Sequence, residues 1–324
     1  MSRPATAAAA AIVLDGVRVV RDRRTILEVP RLELPAGAVT VLFGPNGAGK
    51  TTTLRLVAGL DRPDAGVVRV PAAPGGRPGD VAYAFQEPVF LRGSVRANLS
   101  LGLALRKVPP KERAARIESA ARDCGVGHLL ERDARSLSAG EAQRANLART
   151  LALRAPITLL DEPLAAFDRV GRSAFLEELA GLLRRQAGTV VLVTHDREEA
   201  FRLGDRIVVL AAGHVRAAGA LRDVLAHPPD REMAELLGYI VVIDDDGAPL
   251  GIPPTGLQLG PGERAFGFVV ERVVEVGLEE RVRGRIATRN GDVAAEISLP
   301  VGARAPAPGE TITVSAPGCV FIGS

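Results

Sequence analysis

The stretch Gly44–Thr51, GPNGAGKT, restricts the possible folds of this chain more than any other. It follows the apolar run VTVLF at residues 39–43 and precedes a stretch of helical character that reaches Leu60. A short, continuous apolar run reads as a strand buried on both faces. Glycines at 44, 47 and 49 free the backbone to turn sharply between that strand and the helix. A strand, a glycine-rich turn and a helix in this order place the chain in the α/β class.

The letters within the turn carry chemistry. Gly44, Gly47 and Gly49 let backbone N–H groups point inward around phosphate oxygens. Lys50 reaches toward β- and γ-phosphates, the Thr51 hydroxyl can ligate Mg²⁺, and the helix N-terminus adds partial positive charge. An ordinary glycine-rich turn has no need of both residues. Lysine is also scarce: Lys50, Lys107 and Lys111 are the only three.

A second apolar run, ITLLDEP at residues 157–163, ends in two carboxylates. A buried strand admits charge only where it exits, and ligands of open α/β sheets gather at that carboxyl end. Asp161 is placed to hold Mg²⁺, and Glu162 to orient or deprotonate an attacking water. His195 ends a third such run, TVVLVTH, and so is expected at the same edge.

Strands and helices alternate along the rest of the first two thirds. Strand character recurs at 12–42, 81–90, 157–161, 189–194 and 206–215. Helices are expected over much of 95–153, from about 172 to 186, and from 197 to 203. The pattern implies a mostly parallel sheet covered on both faces. After the break HPPD at 227–230, the composition shifts to short strands such as FGFVV, RVRGRIA, VAAEIS and TITVS. Turns at Asn290-Gly291 and Pro308-Gly309 separate them. The expected division is 1–228 for the α/β domain, 229–238 for a linker, and 239–324 for a small all-β domain, a partly open barrel.

Composition narrows the function. The chain has 324 residues, 47% of them hydrophobic, enough for a sizeable core. A net charge of +3 without a basic block, 3% aromatics and no Trp argue against gripping a long polyanion, so no nucleic acid is expected as a partner. Cys124 and Cys319 form no paired motif, which points to a reducing compartment. The N-terminal run ATAAAAAIVL is too weakly apolar for a signal peptide, and no apolar stretch is long enough to span a membrane.

Taken together, the motifs resemble those of the ATP-binding cassette (ABC) family across residues 12–228. GPNGAGKTT is similar to the Walker A motif, which adds Pro45, Asn46, Ala48 and Thr52 to the nucleotide-binding residues. Gln86 in AFQEP resembles the Q-loop glutamine, which touches Mg²⁺ and senses the permease. LSAGEAQR resembles the signature motif, whose Ser138, Gly140 and Glu141 face nucleotide. LLDEP resembles Walker B, with Asp161 on the metal and Glu162 catalytic. Asp168 in LAAFD matches the D-loop aspartate, and His195 the switch histidine on the γ-phosphate.

The resemblance implies a P-loop NTPase fold: a RecA-like core with antiparallel β and helical subdomains. It also implies ATP and Mg²⁺ as cofactors, ATP hydrolysis as the reaction, and a head-to-tail dimer in which one subunit's signature covers the other's ATP. A single cassette without a fused membrane span resembles a separate ATPase subunit, peripheral on the cytoplasmic face of the inner or plasma membrane. Its partners would be a second ATPase subunit, an integral permease and, indirectly, a solute-binding protein. Exposed Phe90 and Leu91 lie in the stretch where such subunits dock a permease. The tail resembles the TOBE (OB-like) domains of bacterial importers, and its length leans toward the oxyanion group: molybdate, tungstate or sulfate. Alternatives are a soluble ABC ATPase acting on nucleic acid or ribosomes, and an exporter ATPase.

The chain departs from the family pattern at two places. Where an aromatic ring usually stacks on adenine, VRVVRDRRT offers only Arg21, either a stacking guanidinium or a solvated side chain. In the signature, Ala139 and Glu141 replace the usual Gly and Gln. Glu141 brings negative charge near a triphosphate, but Ser138-x-x-Glu141 is also a capping box that would stiffen the following helix. In the tail, Arg281, Arg283 and Arg285 alternate along one strand, as on a solvated edge or an anion site.

Overall fold

The computed structural model describes residues 10–70, 81–185, 188–243, 249–253, 256–262, 264–276, 279–288, 291–299 and 304–322. The start of the alanine run and Asn290 of the Asn290-Gly291 turn lie outside these. The chain forms two compact units, Met1–Leu221 and Arg222–Ser324.

The first unit is built on one nine-stranded sheet. Two long strands, β1 (Ala10–Arg21) and β2 (Arg24–Pro35), pair antiparallel. They lead into β3 (Val39–Phe43) and helix α1 (Lys50–Val57). Strand β4 (Ala65–Arg69) returns to pair with β1, and β5 (Val81–Ala84) begins the far edge of the sheet. Three helices follow: α2 (Val95–Leu105), α3 (Pro110–Asp123) and α4 (Ala139–Ala152). The unit then alternates through β6 (Ile157–Asp161), α5 (Arg169–Arg185), β7 (Thr189–Thr194), α6 (Arg197–Leu203), β8 (Arg206–Ala211) and β9 (His214–Ala220).

The spatial order is β4-β1-β2-β9-β8-β3-β7-β6-β5. Strands β8, β3, β7, β6 and β5 pair parallel, while β1, β2 and β4 form an antiparallel wing. Every residue of β3, β6 and β7 is buried, which explains their unbroken apolar runs. Thr53, Leu54, Leu56 and Val57 turn the inner face of α1 onto this sheet. The sequence-derived strand at 81–90 is shorter than expected. It ends at Ala84, because Phe85 and Gln86 leave the sheet edge.

In the second unit, helix α7 (Leu221–Ala226) and helix α8 (Arg231–Leu237) precede the strands. The segment 229–238, expected as a linker, is thus mostly helix. Met233, Ala234 and Leu237 are buried, and α8 packs against the first two strands that follow, β10 (Ile240–Ile243) and β11 (Pro249–Ile252). The remaining strands are β12 (Gln258–Leu259), β13 (Ala265–Val276), β14 (Glu279–Ile286), β15 (Val293–Ser298), β16 (Thr311–Ser315) and β17 (Val320–Phe321). Sheet β10-β11-β17 accompanies the five-stranded sheet β12-β16-β13-β14-β15. The end strands β12 and β15 approach each other without pairing, so the larger sheet curls into a partly open barrel. Phe268, Val270, Val282, Ile286, Ile297 and Val314 fill it.

Strand β14 is not an edge, contrary to the solvated-edge expectation. It lies between β13 and β15, and its arginines face carboxylates on both neighbours. Arg281 and Arg283 bond Glu296 at 3.0 and 2.5 Å, and Arg285 bonds Glu271 at 2.7 Å.

Candidate nucleotide site

Parallel order brings the carboxyl ends of β3, β7, β6 and β5 side by side. Phe43 pairs with Thr194, Val193 with Asp161, and Leu160 with Ala84. The residues that follow these ends, Gly44, His195, Glu162 and Phe85-Gln86, therefore share one edge.

The loop after β3 is built around its glycines. Gly44 has φ +153°, and a Cβ there would sit 2.0 Å from the carbonyl oxygen of Leu210. Gly49 caps α1 with φ +95°, a left-handed conformation that favours glycine. Asn46 and Gly47 at the tip are exposed, while Ala48 is buried beneath. Lys50 is 5% exposed, and its ammonium donates to the carbonyls of Gly44 and Pro45, both at 2.8 Å. Burial pushes the Lys50 ammonium below its ordinary pKa, and the charges of Glu162 and Asp161 pull it back.

In the next residue, the Thr51 hydroxyl donates to Oδ1 of Asp161 at 3.1 Å. Oδ2 of the same carboxylate accepts from the Tyr83 hydroxyl at 2.8 Å. Burial raises the Asp161 carboxyl above its usual range, and the two hydroxyl donors oppose that rise. Burial, reinforced by Asp161, drives the Tyr83 hydroxyl well above its ordinary value, so Tyr83 stays a donor.

Glu162 has φ +44°, uncommon for a residue with a Cβ. The turn is held by its N–H, which donates to the Val193 carbonyl at 3.0 Å. It aims the side chain at two partners: Nδ1 of His195 lies 3.1 Å from Oε1, and the Gln86 amide donates to Oε2 at 3.3 Å. Glu162, His195 and Gln86 thus form one hydrogen-bonded group.

The other sequence-derived residues lie apart from it. Asp168 caps the start of α5, accepting from the Gly171 N–H at 2.8 Å. Ser138 caps α4, accepting from the Glu141 N–H at 3.4 Å, while the Glu141 carboxylate accepts from the Ser138 N–H at 2.8 Å. The capping box is therefore complete. That backbone bond holds the Glu141 carboxyl below the usual range. Arg132 adds a guanidinium 3.3 Å from Glu141 and 3.0 Å from the Ser136 carbonyl. Among the described residues, no hydrogen bond or ion pair joins Ser138, Gly140 or Glu141 to the loop Gly44–Thr52.

Three further findings bear on the sequence reading. Arg21 is half-exposed and engaged with Asp64 at 3.6 Å, so its guanidinium has a partner on the β1–β4 side. Phe90 is half-buried beneath the Arg149 guanidinium, 5.1 Å from the ring centroid. The exposed apolar residues of that stretch are Val89 and Leu91, with Leu101 and Leu105 on α2. Tyr83 was missed, although one of only two tyrosines in an aromatic-poor chain, three residues before Gln86, was a usable signal.

The pattern of the family described as ABC transporter matches residues 27–165. A sn-glycerol-3-phosphate import ATP-binding protein, UgpC, of Rhodopseudomonas palustris is 34% identical over 327 residues, covering 88% of each chain. The chain belongs to the ABC transporter family. Within it, a molybdenum import ATP-binding protein, ModC, of Pseudomonas savastanoi pv. phaseolicola is 40% identical over 208 residues. That match covers 60% of this chain and 56% of that protein, so the chain spans just over half of that relative's length. Among solved structures, cbiO1 from Clostridium perfringens, part of the ABC transporter complex cbiONQ, shares the fold. Its TM-score is 0.59 at 24% identity, covering 67% of this chain and 91% of that one.

Proposed function

We propose that this chain is the ATP-hydrolysing subunit of an importer and drives uptake of an oxyanion through a separate membrane-spanning permease. The observation that carries this reading is the convergence of Lys50, Thr51, Asp161, Glu162, His195 and Gln86 on one sheet edge. Loop N–H groups and Lys50 hold the β- and γ-phosphates of ATP. The Thr51 hydroxyl and the Asp161 carboxylate, 3.1 Å apart, are hard oxygen ligands suited to Mg²⁺. Among the described residues no three His, Cys, Asp or Glu cluster to hold a metal alone, which suits an ion shared with phosphates and water. When bound, Mg²⁺ neutralises charge on the phosphates. Glu162 orients the attacking water and accepts its proton, while His195, fixed against Glu162, contacts the γ-phosphate. Gln86 reaches the same carboxylate and is positioned to report on the permease.

The N-terminus of α4, with Ser138, Gly140 and Glu141, covers the ATP of a second copy, and Asp168 lies at the same dimer face. Val89, Leu91 and Leu105 offer apolar surface to a permease. We place the chain as a peripheral subunit on the cytoplasmic face; no helix among the described residues is long and apolar enough to cross a membrane. The C-terminal β unit acts as a TOBE-like structural and dimerising domain, since its three arginines are already matched by Glu296 and Glu271. Phe268 is fully buried in that unit's core, and the exposed Phe321 ring already has the Arg264 guanidinium 5.0 Å from its centroid, so the described residues offer no row of free rings for base stacking.

The oxyanion reading follows the relative named for import of sn-glycerol 3-phosphate, an anion, and the one named for import of molybdenum, an element that dissolves in neutral water as its oxyanion. Deleting the gene should lower cellular accumulation of one such anion, and restoring the wild-type gene but not the Lys50→Ala form should recover it. Unchanged accumulation of molybdate, tungstate, sulfate and glycerol 3-phosphate would refute the oxyanion assignment.

A further inference from the structure

Glu199 is a buried carboxylate that the hydrolytic scheme above does not use. It is 2% exposed and sits on the first turns of α6. An isolated buried charge is costly, and Glu199 is instead saturated with donors. The Thr194 hydroxyl donates to Oε2 at 2.5 Å, and Nε and Nη2 of Arg172 donate to Oε1 at 2.9 and 2.5 Å. Burial raises the Glu199 carboxyl, and Thr194 and Arg172 oppose it.

These partners bracket His195. Thr194 is the residue before it, and the Thr194 hydroxyl also accepts from the N–H of Asp196, the residue after it, at 3.0 Å. Asp196 caps α6 by accepting from the Glu199 N–H at 3.0 Å, and its other oxygen lies 3.3 Å from Arg172. Both flanks of His195 are thus tied to one Arg172–Glu199 pair. Arg172 stands on the first turn of α5, where its N–H donates to the Asp168 carbonyl at 2.8 Å. The guanidinium therefore bridges the segment that carries Asp168 to the segment that carries His195. The fork of Arg172 fills this role because it bonds two carboxylates at once.

We infer that Arg172 and Glu199 are positioning residues that fix the His195 ring and link its placement to the Asp168 segment. The inference rests on the proposed role of His195 in hydrolysis. A shift of Asp168 at the dimer face is passed through Arg172 to both neighbours of His195. Neither residue touches the reacting atoms, so nucleotide binding does not depend on them.

The test uses the full-length chain with ATP and Mg²⁺. Arg172→Met keeps the aliphatic stem and removes the fork. It should lower kcat about tenfold or more, with KM for ATP within about twofold. Glu199→Gln, nearly isosteric, should act in the same direction, and Arg172→Lys should restore part of the rate. The His195 ring resonance, identified by its loss in His195→Ala, should shift in Arg172→Met while the other histidine resonances stay in place. An unchanged kcat in both Arg172→Met and Glu199→Gln, with His195→Ala inactive, overturns the inference alone. So does a rate loss with an unmoved His195 resonance. If His195→Ala itself retains full hydrolysis, the underlying role of His195 fails instead.

Discussion

Tyr83→Phe isolates one hydrogen bond at the heart of the site. The substitution removes a hydroxyl that donates to Asp161 at 2.8 Å and leaves the ring in place against Phe85, 4.4 Å between centroids. No cavity is created, so the cost is that of one donor withdrawn from a carboxylate on a residue only 3% exposed. Bonds to charged groups contribute about 1.5–3 kcal/mol. Asp161 keeps its second donor, Thr51 at 3.1 Å, which favours the lower part of that range, about 2 kcal/mol. For a unit of this size that corresponds to a fall of about 4–8 °C in Tm. Thermal unfolding followed by the helical circular-dichroism signal measures it on the full chain. In Asp161→Asn the same hydroxyl meets a neutral amide, so the Tyr83→Phe effect should shrink by half or more. A Tm within about 1 °C of wild type would refute the reasoning, because Asp161 would then owe its place to something other than Tyr83.

Other outcomes follow from the same geometry. Lys50→Ala should weaken ATP binding by at least about 100-fold in calorimetry, since a buried ammonium facing the loop is lost. Glu141→Gln should leave ATP affinity within about twofold, because Arg132 and the Ser138 N–H already balance the carboxylate. Arg132→Ala should add little further in that background, and a several-fold tighter ATP complex in Glu141→Gln alone would count against the balance. Acid should weaken the C-terminal unit through Glu296, whose carboxyl the Arg283 bond holds below its ordinary value, with Arg281 adding to it. A depressed folded pKa stabilises above the unfolded value and is lost as pH falls through the folded one. Acid unfolding should therefore steepen in wild type as pH falls below the ordinary glutamate range, and flatten in Glu296→Gln.

Much of the site could be read in the sequence because its chemistry is local. The glycines of GPNGAGKT, the carboxylates at the end of β6 and just after it, and the histidine that follows β7 each lie at a strand terminus, and a continuous apolar run marks a strand well. The capping box at Ser138 and Glu141 is local too, since its two bonds span three residues. What sequence does not carry is the non-sequential strand order β3-β7-β6-β5, which brings Tyr83 to Asp161 across 78 residues. No periodicity marks that pair. The link from Arg172 to Glu199 joins two helix starts on either side of β7, and each residue alone reads as ordinary surface charge. Likewise, alternation along RVRGRIA locates the arginines on one face of a strand but cannot say whether that strand lies at an edge. Its interior position became visible only with Glu296 and Glu271 beside it. Phe90 shows the same limit, for its cover is a cation from α4.

The central claim is that this chain hydrolyses ATP with Glu162 acting on water, held between His195 and Gln86. Its most direct test is single-turnover ATP hydrolysis by Glu162→Gln beside wild type, with ATP affinity measured on both. The account predicts affinity within about twofold, turnover reduced by at least about 100-fold, and an ATP-trapped dimer in the variant. Hydrolysis by Glu162→Gln at the wild-type rate would contradict it.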